Sequence, residues 1–129
     1  MEHAETFEDL KCWQLACKLE NIIKKEVLPK LPNSEKFELK SQLARAARSA
    51  TAIITEGWGR IHYPDSNKFY YNARGSVSEI LDHLIEARDD GYIEENEYRP
   101  VKSLVIETLK VLNGFTFYLK REHFIKISI

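Results

Sequence analysis

Sulfur, glycine and proline are scarce in this chain of 129 residues, which holds two cysteines, one methionine, five glycines and four prolines. So little glycine and proline excludes collagenous and low-complexity architectures, and 43% hydrophobic residues exclude a largely disordered chain. Cys12 and Cys17 are too few for a disulfide framework, and on one helix they point in different directions, so both read as reduced packing thiols. No apolar run is long enough for a membrane span, and the opening MEHAETFEDL is acidic where a targeting signal is basic and then apolar. The expectation is a cytoplasmic protein with no membrane partner. An excess of either charge is also missing. Nineteen Lys+Arg against twenty Asp+Glu leave a net charge of -1, so no bulk positive field advertises nucleic acid.

Signatures of catalysis are absent as well. His3, His62, His83 and His123 sit in separate segments and include no HExxH pair. There is no GxSxG elbow, catalytic-cysteine signature, Walker loop or GxGxxG. The nearest approach to a metal cluster is Glu79, Asp82 and His83, whose spacing does not fit the di-iron bundle pattern and has no second copy. A solvated face is the competing reading of those three. The expectation is no enzyme, no catalytic residue, no metal and no cofactor.

What the chain does have is helical period, in four segments joined by short connections. The spacing predicts one four-helix-bundle domain over 1–129, all-α and antiparallel up-down-up-down, with helices at about 6–28, 35–56, 66–90 and 96–121 and an apolar tail at 122–129. Thr6 is the expected N-cap of the first helix, Ser34 of the second, and Asp65 or Ser66 of the third. Asp90-Gly91 stops the third helix. In the second, Leu39, Leu43, Ala46, Ala47, Ala50, Ile53 and Ile54 recur until Gly57, and so many alanines imply a close neighbour. The tail Phe124-Ile125-Lys126-Ile127-Ser128-Ile129 alternates as a strand does, and either docks on a partner or frays.

The fourth helix carries more apolar surface than one bundle face needs. Tyr98, Val101, Val105, Thr108, Leu112, Phe115 and Leu119 make a heptad seam. Leu104, Val111 and Tyr118 form a second stripe, and Ile106, Leu109 and Phe117 widen the arc. Either the helix is sheltered on both sides within the monomer, or one stripe meets another copy. The second explanation makes those six residues oligomer-interface candidates.

Charge is polarised along the chain. From Arg74 to Arg99 there are three basic and eight acidic residues, and from Lys102 to Lys126 five basic and two acidic. Lys102, Lys110, Lys120 and Arg121 are therefore nucleic-acid-binding candidates, with Lys36, Lys40, Arg45 and Arg48 a second set. An ordinary solvated surface is the alternative. Treating helices two and three as a hairpin sets Ser49 beside Gly75 and Arg45 beside Glu79, an inter-helical ion pair unless both side chains point to water.

Several fragments occur together in a telling order. Phe7-Glu8-Asp9-Leu10-Lys11-Cys12-Trp13-Gln14 resembles the FxDLxxWQ opening of the small bacterial four-helix-bundle proteins encoded in intervening sequences of 23S ribosomal RNA genes. Ser41-Gln42-Leu43, Arg45-Ala46-Ala47, Ser49 and Glu56-Gly57-Trp58-Gly59-Arg60 resemble that family's central segment. Ala73-Arg74-Gly75-Ser76-Val77-Ser78-Glu79 resembles its AxGSxxE helix, and Asp90-Gly91-Tyr92-Ile93 its close. Ala44 and Ile53 depart from it, standing where the pattern has arginine and asparagine. The resemblance spans about residues 6 to 119 and marks Gln42, Arg45, Ser49, Glu56, Gly57, Gly75, Ser76 and Glu79 as family-motif structural residues.

The resemblance implies a homopentameric ring with no established enzymatic activity, related to the accessory protein of diversity-generating retroelements. The expected function is a noncatalytic homo-oligomeric scaffold or adapter. Its expected partners are itself, with RNA, DNA or another protein as further candidates. The alternative is a direct nucleic-acid-binding accessory factor whose basic patches are gathered by oligomerisation.

Overall fold

In the computed structural model, residues 4–60 and 62–128 are described. The chain forms α1 (Lys11–Ile22), α2 (Leu39–Gly59), α3 (Asp65–Asp89) and α4 (Glu95–Ser128), with no strand among the described residues. α1 lies against α2 and α4, and so does α3, with the most extensive interface between α2 and α3.

Thr6 does cap, but it caps a 3-10 turn at Phe7–Asp9, with Thr6 and Asp9 closing a reciprocal capping box. Leu10 then takes an extended backbone (φ -76, ψ 127), so α1 begins one residue later. That break turns the Leu10 side chain into the core, where it is 2% exposed. Beyond Ile22 the helix widens to a π turn at Ile23–Val27 and tightens to a 3-10 turn at Leu28–Lys30 ahead of Leu31. Ser34 caps nothing, since it falls in a 3-10 turn at Asn33–Glu35, and α2 starts at Leu39. The Leu39 N–H donates to Glu35 Oε1 at 3.3 Å instead. α3 likewise has no side-chain cap bond and starts directly after Pro64.

The α2–α3 contact sets the packing. Ala46, Ala47 and Ala50 of α2 and Ala73 and Ala87 of α3 are all buried, so the two backbones come close. Closest approach is at Gly57, where an added Cβ would lie 2.9 Å from Phe69 Cβ and 3.0 Å from Tyr70 Cε1. Ser49 Oγ and Ser76 Oγ share a hydrogen bond of 3.1 Å across the same interface. The register thus differs from the expected Ser49–Gly75 pairing by one residue. α4 lays its seam on this pair: Tyr98, Val101, Val105, Thr108, Leu112 and Phe115 are buried. The Tyr70 and Phe115 rings meet edge to face, 4.8 Å apart.

α3 ends on Gly91 at φ 81, a left-handed residue. Tyr92 N–H donates to the Ala87 carbonyl and Gly91 N–H to the Arg88 carbonyl, the paired bonds of a Schellman stop. α4 continues past the expected end near Arg121 to Ser128, so the tail is helical and not strand-like. No glycine or proline interrupts Lys120 to Ser128. The Tyr63 ring also stacks on His123, with centroids 4.3 Å apart. His3, Ile61 and Ile129 lie outside the described residues.

Two glycines give a contrasting stability test. Gly57→Ala forces a methyl into the α2–α3 contact and lowers stability by about 1–3 kcal/mol, whereas Gly91→Ala strains one left-handed residue at about 1–2 kcal/mol. Urea titrations followed by circular dichroism measure both, and a Gly57→Ala protein as stable as wild type contradicts the close approach.

Candidate functional site

Side chains three, four and seven apart share one face of a helix, so a helix whose inner seam is buried presents a second, outer stripe. On α4 that stripe holds Lys102, Ile106, Lys110, Phe117, Lys120, Arg121 and Phe124, all exposed. Ile106 is 39% exposed and Phe117 and Phe124 are 65% exposed each. Oligomer-interface and nucleic-acid candidates therefore interleave on one surface. Glu107 is an exposed acid beside it, and Lys102 Nζ reaches over the Tyr98 ring, 5.8 Å from its centroid.

The other interface candidates sit differently. Leu104 is 7% exposed and leaves the set, because the bundle already covers it. Leu109, Val111 and Tyr118 are half-buried against the core. The apolar arc of α4 is wide enough that its flanks fill the grooves beside α1 and α3, and only its crest reaches the surface. Sequence reasoning missed Phe124 and Ile125 as part of this face by reading the tail as a strand. The signal was present, since Phe124 follows Phe117 by one heptad.

Where α4 runs past α3, two clefts open. One of about 380 Å³ is lined by Tyr63, Phe117, Lys120, Arg121, His123 and Phe124. The other, of about 630 Å³, lies over Leu10, Trp58, Tyr70, Phe115 and Leu119, with Arg60 at its edge. Arg60 is already engaged: it lies 3.8 Å from both Glu56 and Asp65, and its guanidinium covers the Phe69 ring at 5.1 Å.

The outer face of α3 has the opposite character. Tyr71, Gly75, Glu79, Asp82 and Glu86 are all exposed there, with Lys68 a cation at the N-terminal end of the same stripe. Nothing in the protomer lies within 4 Å of a Cβ at Gly75. A glycine inside a helix costs about 1 kcal/mol relative to alanine, and no contact within the protomer accounts for it.

The family-motif residues divide between core and surface. Gly57, Ser49 and Ser76 join α2 to α3 as described, and Gln42 is half-buried. Glu56 and Gly75 are exposed. The Arg45–Glu79 pair does not form: Arg45 is exposed, and Glu79 Oε2 lies 3.2 Å from His83 Nε2 on its own helix. A partner four residues away on one helix costs less ordering than one reached across a bundle. Asp82 is exposed, and among the described residues no three His, Cys, Asp or Glu side chains converge as a metal site.

A single chain of four packed helices, with no described helix long and apolar enough to cross a membrane, defines an all-α protein. The model of the 23S rRNA-intervening sequence protein family matches residues 8–114, and the chain belongs to that family. The match includes Ile106 and Lys110 and stops short of Phe117, so the last turns of α4 lie beyond it. No curated protein matches the chain.

Two titratable groups, Cys12 and Tyr70, are buried in the core, Tyr70 at the lining of the larger cleft. Burial pushes the Cys12 thiol up to about 12, outweighing the backbone N–H of Trp13 that lowers it. Burial also raises Tyr70, and Cys12 beside it adds to the shift. A thiol held neutral is a poor nucleophile. Iodoacetamide at pH 8 therefore labels half-buried Cys17 in the native protein and reaches Cys12 only on unfolding, as peptide mass mapping reads directly. Both groups are raised above their unfolded values, so the folded state holds protons longer. Their stabilisation is complete below about pH 9 and falls as pH rises toward 12. Native Cys12 alkylated as fast as Cys17 contradicts this.

Proposed function

We propose that the protein is a noncatalytic scaffold or adapter that acts as a homo-oligomer, as family membership implies. Each copy is one antiparallel up-down-up-down bundle, and five copies form a ring in the cytoplasm. The antiparallel course is supported by side-chain pairs whose order reverses along neighbouring helices: Asn67 with Thr116, Tyr70 with Phe115 and Arg88 with Glu95.

The observation that carries the reading is the outer face of α4, where Ile106 and Phe117 stand exposed on a helix whose inner seam is already filled. Large apolar side chains aligned at helical spacing gain free energy only by covering one another, and a helix face supplies the cover in a second copy. RNA association follows the family's link to ribosomal RNA and needs no catalytic group. Light scattering at micromolar concentration gives five chain masses for wild type, and Ile106→Ser with Phe117→Ser lowers this toward one. A wild-type protein with the mass of a single 15.1 kDa chain contradicts the reading.

One observation favours a second reading, direct nucleic-acid binding: Lys102, Lys110, Lys120 and Arg121 are all exposed on that same face. Such binding weakens steeply with salt and with neutralisation of these four residues. Structured RNA or duplex DNA that is not retained at low salt ends it.

A further inference from the structure

We infer that the outer face of α4 docks on the outer face of α3 of a second copy, a heterologous contact that repeats around a ring. The inference rests on the homo-oligomeric reading above and names the surface that the exposed apolar crest meets.

Charge selects the partner face. Lys102, Lys110 and Lys120 punctuate the α4 stripe, whereas Glu79, Asp82 and Glu86 line the C-terminal half of that of α3, with Lys68 near its start. A twofold axis parallel to the helices would bring lysine level with lysine on two α4 faces and acid level with acid on two α3 faces, so those isologous pairings are repulsive. The pairing of α4 with α3 is the attractive combination.

Register agrees with charge. The contacts of Asn67 with Thr116, Tyr70 with Phe115 and Arg88 with Glu95 fix which residues of α3 and α4 lie level along the bundle. Rotation about an axis parallel to the bundle preserves those levels. It therefore sets Lys102 against Asp82, Lys120 near Asp65, Tyr71 between Lys110 and Phe117, Ile106 near Glu79, and Phe117 near the Lys68 side chain, whose aliphatic stem can cover the ring. Gly75 falls level with Lys110, and its bare backbone leaves room for the neighbour's side chains.

Closure into a small ring is compatible with this pairing, and five copies need the two faces about 18° further apart than a square arrangement gives. α3 and α4 are adjacent corners of the bundle, with outward directions roughly a quarter turn apart. A head-to-tail ring whose two contact directions are about 90° apart closes on about four copies, and one at about 108° on about five.

Charge reversal tests the pairing. Sedimentation equilibrium at tens of micromolar gives the assembled mass for wild type. Asp82→Lys alone and Lys102→Glu alone each shift assembly to at least tenfold higher concentration, and the two together in one chain restore it. Gly75→Leu, which meets nothing inside the protomer, also blocks assembly while circular dichroism stays native. Single reversals that assemble like wild type, or a folded double reversal that stays dissociated, overturn the inference while leaving the homo-oligomer standing. A wild-type monomer overturns both. A Lys102→Glu protein of unchanged mass that no longer retains structured RNA assigns the face to nucleic acid and overturns the inference.

Discussion

The close approach of α2 to α3 is the constraint on which the rest depends. Alanines along both helices and Gly57 at the narrowest point bring two backbones together, with Ser49 and Ser76 bonded across the contact. Tight packing of these two fixes the groove into which α4 lays its seam, with Phe115 on Tyr70 and Asn67 donating to the Thr116 carbonyl. Once that groove is filled, Ile106 and Phe117 have nowhere to go but outward. The exposed crest of α4 is thus a consequence of a core already complete.

The same geometry bears on function. Apolar and cationic residues of α4 share one face, so the two proposed occupants, a neighbouring copy and a nucleic acid, would compete for it. In the proposed ring, the α4 stripe would set its lysines against acids of α3. That is consistent with a chain carrying nearly equal numbers of acidic and basic residues and a net charge of -1.

Much of the fold was legible in the sequence because it rests on local rules. The α4 seam follows heptad spacing, and the stop at Gly91 follows from the one residue that tolerates φ 81 without strain. Helix starts were less legible. Leu10 breaks the first helix because its side chain is drawn into the core, a tertiary effect with no local signal. The inter-helical register was off by one residue because loop length bounds register without setting it. Ser49 therefore meets Ser76 and not Gly75. The Arg45–Glu79 pair failed for a related reason, since His83 offered Glu79 a partner on its own helix. Periodicity assigned Leu104, Ile106 and Phe117 to the surplus arc of α4, but only packing depth separates buried Leu104 from the exposed pair.

The most direct test of the central claim is an inter-chain cross-link between singly substituted proteins. When Asp82→Cys and Lys102→Cys chains, both with Cys17→Ser, are mixed and mildly oxidised, the account predicts a disulfide joining one chain of each kind. Only same-kind dimers, or no cross-link at all, would contradict it.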